Sequence, residues 1–98
     1  QLTEAAHDHA VHMYLNNYFS HYTPNGESPF ARLANKQIHY RFAGENLAFA
    51  STIAKAHTAL MQSPTHRANI LYEGFHKIGI SVLQLPNNAY MIVQEFSD

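Results

Sequence analysis

The 98-residue chain has no cysteine and no tryptophan. Without cysteine there can be no disulfide, no thiol nucleophile and no thiolate metal site. Charge is scarce too. Six Lys and Arg stand against seven Asp and Glu, giving −1, and charged residues are 13% of the chain where about 25% is usual. Such a balance announces no polyanion-binding surface, so nucleic acid is not an expected partner. No apolar run approaches the ~18 residues that would span a membrane. The opening Gln-Leu-Thr-Glu shows neither Met nor an apolar leader, the start expected of a mature or trimmed product. A hydrophobic fraction of 46% argues against disorder, and residues 1–98 read as one domain with a modest core.

What the chain has in excess is histidine, eight residues, and the search for chemistry starts there. Leu2, Ala5, Ala6, His9, Ala10, Met13 and Tyr14 repeat at helical spacing, which predicts a half-buried helix over 2–17 with Thr3 as its N-cap. In that helix His9 and His12 are neighbours; spacing alone favours His9 in the core with His7 and His12 solvated. Thr23-Pro24-Asn25-Gly26 reads as a turn. Ser28-Pro29 and Ser63-Pro64 each read as an N-cap serine with proline at the first helical position, starting helices over 29–36 and 64–71. The stretch from Ile38 to Ala50 looks extended and broken at Gly44, and Ser51 is expected to cap a helix over 51–61. Period-two alternation then predicts a hairpin, Lys77 to Leu85 and Ala89 to Phe96, around Pro86-Asn87-Asn88. Both faces of its second strand are largely apolar, so helices are expected on both sides: an α/β fold, as an α/β/α three-layer sandwich with a small antiparallel sheet.

No G-x-S-x-G, P-loop, G-x-G-x-x-G or H-E-x-x-H occurs. Three residues with chemistry to offer lie far apart. His21 follows the first helix, Glu45 follows Gly44, and His66 falls in the first turn of the helix begun by Ser63-Pro64. Spacing gives no reason for them to meet.

Five blocks stand in order along nearly the whole chain: Tyr18-Phe19-Ser20-His21, Gly44-Glu45-Asn46-Leu47-Ala48, Ser63-Pro64-Thr65-His66-Arg67-Ala68-Asn69-Ile70-Leu71, Ile78-Gly79-Ile80 and Gln94-Glu95-Phe96. Together they resemble the bacterial branch of the CAP superfamily, the SCP domain of cysteine-rich secretory proteins, venom antigens and pathogenesis-related proteins. The resemblance implies an α/β/α sandwich, an extracellular or cell-envelope location and a cavity lined by His and acidic residues. Residue by residue it points to His21, Glu45 and His66 as ligands of a divalent cation, Zn²⁺ foremost. Asn46, Ser63, Arg67, Asn69 and Gln94 would support that cavity. The family's second glutamate does not carry over, Ser63 or Gln62 standing where an acid is common, and the family's leading helix is missing. The implied role is a binding or interaction module with no established reaction. A metal-dependent, protease-like hydrolase is one alternative. The other is a lipid- or sterol-binding module whose His and Glu form a purely structural network. A small apolar ligand or a cell-surface or cell-wall partner would follow. Tyr14, Tyr18, Phe19, Tyr22, Phe30, Tyr40, Phe42 and Phe49 suit either a groove for such a ligand or the core.

Overall fold

A computed structural model describes residues 1–98, with helices α1 (Leu2–Leu15), α2 (Pro29–Asn35), α3 (Ile53–Gln62) and α4 (Pro64–Leu71) and strands β1 (Ala43–Ala50), β2 (Lys77–Gln84) and β3 (Tyr90–Ser97). The strands form one antiparallel sheet in the order β1-β3-β2. The predicted hairpin is present, but only β3 is central; β2 is an edge. Because side chains alternate across a strand, Leu47, Met91 and Val93 face one way and Ala48 and Ile92 the other. The first set packs with Ala6, Ala10 and Met13 of α1, the second with Ala56 and Leu60 of α3. Helices on both sides thus bury β3 almost throughout, which gives the expected three layers.

Each layer has a local cause. The Ser28 hydroxyl accepts from the amide of Ala31 at 3.1 Å and Pro29 occupies the first turn of α2, as the Ser-Pro pair predicts. Two caps differ from expectation. α1 starts at Leu2 with Gln1, two residues before Thr3, at the N-cap position and no side-chain cap, so Thr3 lies inside it. α3 is capped by Thr52, which accepts from Lys55 at 3.0 Å, in place of Ser51. Gly44 does not break the chain either. It lies in β1 opposite Phe96, where a Cβ would come 3.0 Å from Phe75 Cζ and 3.2 Å from Asn69 Oδ1. Glycine there lets the Phe75 ring close over the strand and stack on Phe96, with ring centroids 5.3 Å apart. Gly79 of β2 allows a closer approach still: a Cβ would fall 2.1 Å from the backbone of Leu2, so the start of α1 rests directly on the sheet.

The covering is uneven. On the side of α3 and α4, the helices lie over β1 and β3. Ile78, Ile80 and Val82 of β2 stay about half exposed there.

Candidate functional site

Glu45 and Asn46 are consecutive in β1 and therefore serve opposite faces of the sheet. Glu45 faces α2 and the segment joining α1 to α2, directly across the ladder from Glu95 of β3. Two carboxylates on neighbouring strands, both buried, would repel and lose their hydration. Arg32 of α2 answers both. Its Nη2 donates to Glu45 Oε1 at 3.0 Å and makes an ion-pair contact with Oε2 at 2.8 Å, while Nη1 donates to Glu95 Oε2 at 3.4 Å. The same Nη2 donates to the carbonyl of His21 at 2.7 Å, tying the connecting segment to the cluster. His21 Nδ1 donates to Glu45 Oε1 at 2.7 Å, which leaves the ring's lone pair on Nε2. The His21 side chain is 44% exposed and that of Glu45 1%, so the ring bridges solvent and the buried acid.

One guanidinium cannot neutralise two buried carboxylates. Burial, then the hydrogen bond and charge of Glu45, push the Glu95 carboxyl up to about 10 against the pull of Arg32. For Glu45, burial would raise the carboxyl, but its bonds with His21, Glu95 and Arg32 outweigh that and hold it at about 2. Glu95 is therefore the protonated partner and Glu45 the ionised one. Glu45 Oε2 and Glu95 Oε1 are both buried and accept no hydrogen bond from another side chain.

The opposite face of β1 is neutral. Asn46 donates to Gln94 Oε1 at 3.1 Å and to the His66 carbonyl at 3.0 Å, and accepts from Asn69 at 2.9 Å. Asn69 also donates to the Glu45 carbonyl at 3.3 Å. The His66 ring is turned to its own helix start, with Nδ1 hydrogen-bonded to Ser63 Oγ at 2.7 Å. That use of the serine explains why it gives no side-chain bond to the helix backbone.

Residues 1–96 match the cysteine-rich secretory protein family, CAP. The chain belongs to the CAP family. It is 36% identical over 84 residues, 85% of its length, to the uncharacterized protein YkwD of Bacillus subtilis (strain 168), and spans 33% of that relative. Among solved structures, an extracellular protein containing an SCP domain from Bacillus anthracis str. Ames is similar with a TM-score of 0.84 and 31% identity, covering 98% of this chain and 31% of that one. An outer surface protein from Borrelia burgdorferi shares the fold with a TM-score of 0.90 at 23% identity, covering 99% of this chain and 72% of that one.

Within this CAP fold, His21 and Glu45 are brought together as expected, and Asn46, Ser63, Asn69 and Gln94 do join polar networks. His66 enters through its carbonyl and its bond to Ser63, on the face away from the Glu45 carboxylate. Arg67 is a correction. It is exposed and makes no side-chain hydrogen bond or ion pair, because the turn of α4 that directs Asn69 to the sheet directs Arg67 to solvent. Arg32 and Glu95, the two residues that complete the charged cluster, were not expected there. Glu95 had one signal, a charged residue at an inward position of a strand apolar on both faces. Arg32 had none locally; its role follows only once two carboxylates are known to be buried.

No group of three or more His, Asp or Glu side chains is arranged to hold a metal ion. The guanidinium already seated on Glu45 would also oppose a cation. As they stand, these residues do not fit a metal centre.

Proposed function

We propose that this CAP domain is an extracellular or envelope binding module with no reaction of its own, its His21–Arg32–Glu45–Glu95 cluster being a structural clamp. The observation that carries the reading is the engagement of Glu45. Its carboxylate is buried, with a side chain only 1% exposed, and is held by His21 and Arg32, which keeps it from reaching a substrate as a general base. The sequence also offers no thiol and no G-x-S-x-G serine motif. The extracellular assignment leans on the Bacillus anthracis relative, described as extracellular.

The ligand of such a module is expected to be small and apolar. A groove of about 380 Å³ opens between the end of α1 and the sheet, floored by Met13 and Met91 and walled by Tyr14, Tyr18, Phe19 and Phe49. Phe19 and Phe49 meet edge to face with centroids 6.4 Å apart, yet each stays about half exposed. Aromatic surface left open beside a concavity is what an apolar ligand would cover.

A divalent cation on His21, Glu45 and His66 is the second reading, favoured by the exposed His21 ring with its free Nε2. It requires Arg32 to yield Glu45 and the His66 ring to leave Ser63. Calorimetric titration with Zn²⁺ at neutral pH separates the two readings, with Glu45→Gln in parallel. A structural clamp predicts no heat, no thermal shift with Zn²⁺, and a lower melting temperature for Glu45→Gln whether or not chelator is present. Binding lost in His21→Ala and in Glu45→Gln would establish the cation site instead.

A further inference from the structure

The six Lys and Arg and the seven Asp and Glu are unevenly placed. None of them lies in residues 9–26, 46–54 or 78–94. The fold brings these three stretches together at one end of the molecule. Phe49 and Ala50 end β1 opposite Met91 and Tyr90 at the start of β3, and these face Leu83 and Gln84 at the end of β2. Met13, in the last turn of α1, lines the aromatic groove together with Met91, so α1 ends there as well. Tyr14 also walls a second hollow of about 420 Å³, with Leu83, Leu85 and Pro86 of the hairpin.

Large apolar side chains stay open on this end. Leu15 is 68% exposed, more than any other large apolar residue of the chain, and Tyr14, Phe19, Phe49 and Ile53 are each about half exposed. Among them stand short neutral polar side chains, Asn16, Asn17, Ser51, Asn87 and Asn88, all exposed. Lys55 is the one charge at the rim, and its Nζ donates to Ser51 Oγ at 3.4 Å. Apolar surface gathered in this way marks a docking face. A protein partner is steered and oriented by charges around its interface, and this end has a single lysine to offer. A bilayer surface asks for something else. It takes up aromatic and aliphatic groups at the headgroup layer, penalises charges that must lose their water, and hydrogen-bonds to neutral amides and hydroxyls. This end meets all three conditions. With one cation here and a net charge of −1 on the chain, attraction to anionic lipid adds little.

We propose that this end docks on the surface of a neutral, zwitterionic bilayer, with Tyr14, Leu15, Phe19 and Phe49 entering the headgroup layer. No helix is long and apolar enough to cross a membrane, so the helices only rest on it. The face docks whether or not the groove holds a soluble ligand, so either reading can fail alone. The test is flotation of the folded chain with phosphatidylcholine vesicles and, separately, phosphatidylglycerol vesicles, at low and at high salt. Because the chain lacks tryptophan, Leu15→Trp places a single fluorophore on the face. Leu71→Trp is the control, at a leucine 56% exposed beside Tyr72, whose ring meets Phe42 just before β1. The expected result is flotation with phosphatidylcholine that salt does not weaken, a blue shift of the Leu15→Trp emission that saturates with lipid, and no shift for Leu71→Trp. Leu15→Glu changes an exposed helix end and leaves the core untouched, and it should weaken partitioning about tenfold or more. A Leu15→Trp shift that follows chain concentration without lipid would make this end a protein contact and overturn the proposal. So would absence of flotation, flotation confined to phosphatidylglycerol and lost at high salt, equal shifts at both tryptophans, or undiminished binding of Leu15→Glu.

Discussion

Glu45 and Asn46 are neighbours in β1, equally hidden from solvent, and the partners each gathers differ in kind. Glu45 draws in a guanidinium, an imidazole and a second carboxyl that must keep its proton. Asn46 is met by two amides and a carbonyl, with nothing to titrate. Both arrangements pin a connecting element to the sheet: the α1–α2 segment on one face, α4 on the other. The charged solution makes stability depend on pH and on a single arginine. The amide solution depends on neither, since a neutral hydrogen bond carries no linked proton. Two faces of one strand therefore separate, within a single chain, the costs of charged and uncharged polar burial.

Arg32→Met offers the most direct way to break this comparison. It leaves Glu45 buried with no cation except what His21 can supply, and removal of one partner from a buried ion pair typically costs about 3–5 kcal/mol. Urea unfolding at neutral pH should show that loss, with partial recovery in acid as Glu45 takes up a proton. A loss under about 1 kcal/mol would mean that the clamp is not structural.

Asn46→Ala is the matching cut on the other face. It strands Gln94, Asn69 and the His66 carbonyl, and a buried group left unpaired costs about 1–3 kcal/mol. The expected loss is about 2 kcal/mol by urea unfolding, of the same size at each pH tested. A strong pH dependence of that loss would show the two faces to be coupled.

Glu95→Gln sharpens the contrast without much change at neutral pH, because the amide can donate to Glu45 where the protonated acid did. The wild-type chain carries a raised carboxyl: Glu95 contributes full stability below its unfolded value of 4.5 and loses it as pH rises toward about 10. Glu45 acts in the other direction, its contribution being present above 4.5 and lost as pH falls toward about 2. His9, with its lowered pKa, likewise contributes less as pH falls below 6.5. Melting temperatures measured from about pH 5 to pH 9 should therefore decline for the wild type on the alkaline side. For Glu95→Gln that decline should flatten. Parallel curves would place the proton elsewhere.

Arg67→Ala stands at the small end. As an exposed side chain without partners it should change stability by no more than about 0.5 kcal/mol in the same unfolding assay. A larger effect would return Arg67 to the site.

These expectations mark what was legible in the residues. Ser28-Pro29 and Ser63-Pro64 mark the starts of α2 and α4, because the Ser28 cap and the two prolines act within one turn of the chain, although the Ser63 hydroxyl goes to His66 and does not cap α4. The alternation from Lys77 onward set the hairpin, and the apolar character of β3 on both faces called for helices on both sides. His21 and Glu45 were paired through resemblance to the CAP family rather than through their spacing. Gly44 misled, since a glycine needed for the approach of Phe75 looks the same in sequence as a glycine that ends a strand. Local signals determined the elements because caps, turns and periodicity are properties of a few consecutive residues. Only the tertiary structure decided that Arg32 sits between Glu45 and Glu95, that Arg67 faces solvent and that the His66 ring stays with Ser63. The balance of charge in a buried cluster depends on which distant groups share the same low-dielectric space, and no short stretch of sequence holds that information.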